Sequence, residues 1–219
     1  MTELPLRDRH TAGRLLAAAL EPYAARDDVI VLGLPRGGVP VAAEVARALG
    51  AELDLMVVRK LGTPGQEELA MGAIASGGGR VLNEDVVAQL RIPRDEIERA
   101  AERERAELER RERAYRGERP GPRLAGRCVI LVDDGLATGA TMRVAVQAAR
   151  SAGAREVVVA VPVAPEDTVA RLAREADDIV CLATPEPFMG VGRWYRDFAQ
   201  TADREVADLL AEAWGDTAD

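Results

Sequence analysis

Residues 129 to 142, Val-Ile-Leu-Val-Asp-Asp-Gly-Leu-Ala-Thr-Gly-Ala-Thr-Met, constrain the fold more than any other stretch of the chain. Val129, Ile130, Leu131 and Val132 are four β-formers without polar alternation, which predicts a strand buried on both faces. Asp133 and Asp134 follow, then Gly135, Thr138, Gly139 and Thr141, then an Ala/Val-rich helical pattern to about Ala152. Such a loop offers backbone N–H groups and the positive end of a helix to an anion. Glycines allow close approach and threonine hydroxyls add donors. A phosphate alone would be repelled by two carboxylates, so the loop suits a ligand with donors beside its phosphate, such as a ribose diol. The competing reading is a buried strand whose carboxylates cap the next helix. A cap needs one Asp and uses neither the second nor both threonines.

On these residues the chain resembles the type I phosphoribosyltransferases. Their phosphoribosyl pyrophosphate (PRPP) motif ends a strand in two acidic residues and continues close to x-x-x-T-G-x-T; here the loop reads Gly135-Leu136-Ala137-Thr138-Gly139-Ala140-Thr141. The resemblance implies that Asp133 and Asp134 hold the ribose diol. It implies that Leu136, Ala137, Thr138, Gly139, Ala140 and Thr141 hold the 5′-phosphate. Mg²⁺ is the implied cofactor, with Asp133 and Asp134 linked to the metal indirectly through PRPP. The resemblance covers about residues 29 to 183.

A second strand, Val29 to Leu32, runs into Gly33-Leu34-Pro35-Arg36-Gly37-Gly38, and a helix then carries on to Leu49. This turn is neither a P-loop nor G-x-G-x-x-G. One arginine and two glycines offer amides and a bidentate phosphate partner. The family places its pyrophosphate loop here, which assigns pyrophosphate binding to Arg36, Gly37 and Gly38 by resemblance. A non-proline cis peptide is common in that loop, and Pro35–Arg36 is the matching bond. A third strand, Leu53 to Val58, ends in Arg59 and Lys60, where the family carries basic residues that reach the pyrophosphate; the plainer reading is two charges solvating a strand end. The implied catalytic set is Asp133, Asp134, Arg36 and Lys60.

Residues 63 to 68 contain Pro64-Gly65 and read as an exposed loop, followed by a hairpin from Leu69 to Leu82 around Gly77-Gly78-Gly79. By resemblance this is the flexible catalytic loop, a lid that excludes water. Arg94 to Arg116 is a charged helix with a thin apolar stripe of Ile97, Ala101, Leu108 and Tyr115 and many Glu/Arg pairs at i,i+4. It suits a plain surface helix; a lid insertion and the arm of a homodimer are the other roles open to it. Residues 62 to 125 together are expected to form a flexible loop and helical insertion.

Strands alternate with helices and no internal repeat is present, which predicts an α/β fold: a doubly wound, mainly parallel sheet, one domain over residues 1 to 219. Ligands bind such sheets at the strands' carboxyl ends, where both glycine-rich loops would meet. The tail, residues 184 to 219, is expected to add a small hood and a last helix. Phe188, Trp194, Tyr195 and Phe198 fall within a short stretch of a chain only 3% aromatic. By resemblance the hood holds the base, with Trp194, Tyr195 and Asp197 as its contacts; the bland alternative is a satellite core made by the same rings.

The chain has 219 residues, enough for one sizeable core. Its 29 Lys and Arg against 37 Asp and Glu, a net charge of −8, argue against broad nucleic-acid binding. No apolar run approaches a membrane span and the first ten residues lack the apolar core of a signal peptide, so a cytoplasmic protein is expected. His10 reads as a surface residue, and Cys128 and Cys181 as free thiols in or beside strands. The function implied is transfer of the phosphoribosyl group of PRPP to a nucleobase-like nitrogen with release of pyrophosphate. Hypoxanthine–guanine transferases carry an acid where this chain has Ala137, so a general base would come from Glu67, Glu68 or Asp197. The alternative is a PRPP- or nucleotide-binding regulator that has lost turnover.

Overall fold

The two apolar runs at residues 29 to 32 and 129 to 132 form adjacent strands inside a sheet. In a computed structural model, which describes residues 2–215 apart from the side chain of Glu68, the strands are β1 (Val29–Gly33), β2 (Glu52–Leu55), β3 (Val58–Thr63), β4 (Gln66–Ala75), β5 (Arg80–Leu82), β6 (Cys128–Val132), β7 (Glu156–Val163) and β8 (Asp178–Ala183). The helices are α1 (Arg9–Ala19), α2 (Gly38–Leu49), α3 (Glu84–Gln89), α4 (Arg94–Arg116), α5 (Ala140–Ser151), α6 (Glu166–Leu172) and α7 (Asp203–Trp214). A parallel sheet is ordered β2-β1-β6-β7-β8. Side chains alternate between its faces: Val29, Val31, Ile130 and Val132 join the core under α1, α2, α4 and α7, whereas Ile30, Leu32, Val129 and Leu131 join that under α5. The doubly wound α/β expectation holds. Among the described residues, no helix is long and apolar enough to cross a membrane.

A second, antiparallel sheet, β3-β4-β5, lies between α4 and α5. Here the boundaries differ from the sequence reading. The run expected as one strand from Leu53 to Val58 breaks at Val57: Met56 N–H still donates to the Gly33 carbonyl of β1 (3.1 Å), the last rung of the parallel ladder, whereas Val57 N–H turns to Ser76 Oγ (2.8 Å). Residues 63 to 68 are not a loop throughout. β3 runs to Thr63 and β4 starts at Gln66, leaving a turn at Pro64-Gly65 where Gly65 takes φ +76°. The first helix starts at Arg9 because Asp8 caps it, accepting from Thr11 N–H at 2.6 Å. Leu6 bridges to Tyr195.

α4 carries the expected i,i+4 pairs, Arg99 with Asp95, Arg111 with Glu107 and Arg116 with Glu112. It also lays one face on β3, β4 and α7. Its last residue reads in sequence as one more surface charge, but Arg116 is buried. Nε meets Asp54 Oδ1 at 2.7 Å and Nη2 donates to the Leu55 carbonyl at 2.6 Å. Burial pushes the Asp54 carboxyl up from its ordinary value, and the Arg116 charge pulls it part of the way back.

Removing one partner of such a pair leaves an uncompensated buried charge. Arg116→Ala is expected to lose about 3–5 kcal/mol at neutral pH by urea denaturation. The raised carboxyl sets the sign: the loss shrinks as pH falls and Asp54 protonates. Replacing both partners with apolar residues of similar volume restores most of the stability. A single-variant loss below about 1 kcal/mol, the range of exposed pairs, would show that the pair does not anchor α4.

Candidate functional site

The site forms where β1 and β6 end side by side, with Gly33 and Val132 in register. After Val132 the chain leaves the sheet through Asp133 and Asp134 and folds into the 135–139 loop. Leu136 N–H donates to the Val163 carbonyl (2.9 Å), and Thr168 Oγ1 donates to the Ala137 carbonyl (2.9 Å), so β7 and α6 hold the loop from behind. Gly139 takes φ +72° to enter α5, and a Cβ there would lie 2.8 Å from the Thr168 methyl. The loop therefore ends on a helix N-terminus, with Thr138, Ala140 and Thr141 exposed at its mouth and Leu136 buried.

The second glycine-rich loop packs directly against the acidic pair. Leu34 N–H donates to the Val132 carbonyl at 2.8 Å, and Pro35–Arg36 is a cis peptide, as the resemblance implied. A methyl group on Gly37 would collide with the Asp134 carboxylate, and one on Gly38 would lie 2.6 Å from the Val132 carbonyl. Only glycine lets the two loops approach this closely. Arg36 is partly exposed, its Nη1 3.9 Å from Asp203 Oδ1 at the start of α7. Tyr115 from α4 donates to the same oxygen at 2.7 Å; burial and then that carboxylate push its hydroxyl up to about 12.

Arg59 and Lys60, taken together in sequence, part company on β3. Arg59 shares the α4 face, held by Glu104 through Nε (2.8 Å) and Nη2 (2.7 Å). Lys60 lies on the opposite face by strand alternation and is exposed.

Burial raises both carboxyls of the acidic pair. Asp133 is pushed well up by desolvation and then by the Asp134 charge, against a bond from the Asp134 N–H (2.8 Å). Asp134 is raised by desolvation and drawn back by Arg9. The guanidinium of Arg9 places Nε and Nη2 each 2.8 Å from Asp134 Oδ2. Sequence reasoning missed Arg9: it lies 125 residues from its partner and reads as the polar start of a helix.

The hood rings form the satellite core named as the alternative. Phe188, Val191 and Trp194 pack against buried Leu6, Ala12, Val163 and Tyr195. Residues Val191–Trp194 form a 3-10 turn. Trp194 lies 6.3 Å from Phe188 between centroids, and its buried Nε1 has no hydrogen-bond partner among the described residues. Tyr195 is buried, its hydroxyl donating to the Asp134 carbonyl at 2.6 Å. Asp197 is exposed and accepts from Ala199 N–H (3.0 Å). A cleft of about 860 Å³ lies between the first turn of α6 and the hood, lined by Pro165, Glu166 and Phe188 among others. His10 is at the surface against Glu44, and Cys128 and Cys181 are free thiols.

Among the described residues no cluster of three or more His, Cys, Asp or Glu could cage a metal. Two hard oxygen donors beside an anion loop do fit Mg²⁺, which is commonly held by one or two carboxylates together with substrate phosphates. Asp133 and Asp134 are the residues that would serve it, indirectly, through the ligand they hold.

Comparison with known proteins agrees with this geometry. The family described as "Phosphoribosyl transferase domain" matches residues 9–191. Rv0571c of Mycobacterium tuberculosis, provisionally named a phosphoribosyl transferase, is 51% identical over 212 residues, 97% of this chain and 48% of its own length. The chain thus spans about half the length of the curated relatives it matches. The crystal structure of TT1426 from Thermus thermophilus is 47% identical, with a TM-score of 0.84, covering 94% of this chain and 98% of that one. AQ2163 of Aquifex aeolicus shares the fold alone, at 12% identity and a TM-score of 0.50 over 92% of this chain and 84% of its own.

The strained acidic pair yields a stability prediction. Asp133→Asn keeps an oxygen for the Asp134 N–H and removes a carboxylate that burial and its neighbour both disfavour. A raised folded-state pKa means that stability falls as pH rises through it. The variant is therefore expected to melt about 2–4 °C above the parent at pH 7.5, the shift that about 1 kcal/mol gives a chain of this size. The difference narrows as pH falls. Equal melting temperatures at both pH values would contradict it.

Proposed function

The chain belongs to the phosphoribosyl transferase family, and from that premise we propose that it moves the 5-phosphoribosyl group of PRPP onto a nitrogen of a nucleobase-like acceptor, releasing pyrophosphate. The observation that carries this proposal is the contact of Gly37 and Gly38 with Asp134 and Asp133. PRPP, with its diol and its pyrophosphate on adjacent ring carbons, suits a pair of loops packed this closely.

In this reading the α5 N-terminus, with Thr138 and Thr141, grips the 5′-phosphate. Asp133 and Asp134 accept from the 2′ and 3′ hydroxyls. Arg36, the Gly37 and Gly38 amides and Lys60 face the pyrophosphate; Arg59 contributes only if it leaves Glu104. The bond from C1′ to the pyrophosphate oxygen breaks as the bond from C1′ to the acceptor nitrogen forms, through an oxocarbenium-like state. The pyrophosphate takes the bonding pair, and the acceptor nitrogen loses its proton. Preorganised donors stabilise the charge that develops on the leaving group. Mg²⁺, when bound with PRPP, neutralises pyrophosphate charge. Asp197 in the hood and Glu67 on β4 are acids available for the acceptor proton, as is Glu68, whose side chain lies outside the described residues. Trp194 serves the base side as a stacking ring, whereas Tyr195 acts from behind, through the Asp134 carbonyl. The protein works on free, small metabolites in the cytoplasm, with α4 available as a homodimer surface.

Incubating the protein with PRPP, Mg²⁺ and a panel of nucleobases, and following pyrophosphate release, tests the reaction. Tight PRPP binding without release for any base would favour the alternative, a binding regulator. Arg36→Ala is expected to weaken PRPP and pyrophosphate by about 10-fold or more, the 1.5–3 kcal/mol of a bond to a charged group, and to leave ribose 5-phosphate nearly unchanged. Equal loss for all three ligands in calorimetry would make Arg36 a structural residue.

A further inference from the structure

The segment before α1 and the hood are one body. Leu6 N–H donates to the Trp194 carbonyl (2.8 Å), Arg196 N–H to the Leu6 carbonyl (2.7 Å) and Asp197 N–H to the Arg7 carbonyl (2.9 Å). From this body Arg9 reaches the acidic pair, and its guanidinium is used on three sides at once. Nε and Nη2 meet Asp134 Oδ2, Nη1 donates to the Ala199 carbonyl at 2.7 Å, and the plane lies 4.0 Å from the centre of the Phe198 ring. Phe198 in turn packs on Gly192, where a Cβ would lie 2.8 Å from its ring, so the contact passes into the hood turn. Both Arg9 contacts land on Oδ2, so Arg9 leaves Asp134 Oδ1 untouched. The partner carboxylate, its hood carbonyl and its hood ring are thus fixed by one rigid fork.

We infer that Arg9 is a positioning residue that couples the hood to the ribose-binding carboxylates: a sugar hydroxyl seated on Asp134 sets, through Arg9, the order of the hood over the acceptor. The inference rests on the ribose assignment made above and adds a specific route. Tyr195 is the rival route, since its hydroxyl also meets Asp134 (2.6 Å). It touches the backbone carbonyl, however, whereas Arg9 holds the side chain that the ligand engages. Coupling is reciprocal, so the same fork would make hood occupancy favour ribose binding.

Hydrogen exchange by mass spectrometry over the peptide containing residues 194–199 reads the coupling, with ribose 5-phosphate as the probe and calorimetry reporting its binding. In the parent protein, saturating ribose 5-phosphate is expected to slow exchange of this peptide by about 5-fold or more, the lower range of allosteric coupling. Arg9→Lys keeps the charge but not the fork; it is expected still to bind the probe while losing most of that protection. Phe198→Ala, changed on the hood side and away from Asp134, is expected to lose it too. Tyr195→Phe is expected to retain it. Protection that survives in Arg9→Lys or in Phe198→Ala, or that vanishes only in Tyr195→Phe, overturns the inference. Should Arg9→Lys not fold, as judged by its melting curve, the Phe198→Ala result decides. A parent protein that binds ribose 5-phosphate without any hood protection removes the coupling and leaves the proposed reaction standing. A parent protein that does not bind the probe removes both.

Discussion

The approach of the Gly37-Gly38 turn to the Asp133-Asp134 pair is the constraint on which the site depends. It follows from strand order. β1 and β6 are parallel neighbours in register, so the loops after Gly33 and Val132 leave the sheet at the same height. Parallel strands deliver every βα loop to one edge, and an anion-binding turn on each of two adjacent strands becomes one composite surface. The remaining elements hold that contact: Thr168 of α6 and the Val163 carbonyl brace one loop, and the Val132 carbonyl braces the other. Two carboxylates desolvated side by side oppose folding, a common cost of functional sites. Arg9 offsets part of it from the far end of the chain.

Much of this was legible because the signals are local. Apolar runs without alternation marked the buried strands, and the spacing of acids, glycines and threonines marked the loop after β6. The Pro35–Arg36 cis peptide came from the resemblance and is present. Local signals failed where partners are distant. Arg116 and Arg9 each sit beside other charges in sequence, and neither hydropathy nor spacing distinguishes a buried arginine from a solvated one. Their roles come from Asp54 and Asp134, 62 and 125 residues away. The break at Met56-Val57 was hidden for a related reason: both residues are apolar and buried, and only the turn of Val57 from β1 to Ser76 shows that the strand has changed sheets.

α4 shows how a charged helix can be more than a surface helix without becoming a lid. Its Arg99 and Arg111 pairs face water, yet Arg116 is buried, Glu104 restrains Arg59 and Tyr115 holds Asp203 beside Arg36. Thus two basic residues read in sequence as pyrophosphate contacts are each set against an acid belonging to, or held by, the helical layer. An anion arriving at Arg36 meets a guanidinium only weakly engaged at 3.9 Å, whereas one recruiting Arg59 must displace a close fork.

The acidic pair and the hood differ in what their chemistry demands. On the proposed reading, a ribose 5-phosphate imposes fixed donors and acceptors, and the 135–139 loop is correspondingly fixed by glycines that accept no side chain. Stacking on an aromatic ring tolerates many bases, so a hood built as a small aromatic core loses little if its rings shift. That asymmetry fits a motif at residues 129 to 142 that is legible in sequence beside a hood at residues 185 to 199 that is not. On the proposed reading, discrimination between acceptors would fall to polar groups at the hood's edge, because rings alone cannot supply it. Among the described residues Trp194 Nε1 is buried without a hydrogen-bond partner, an unmet polar demand within the hood.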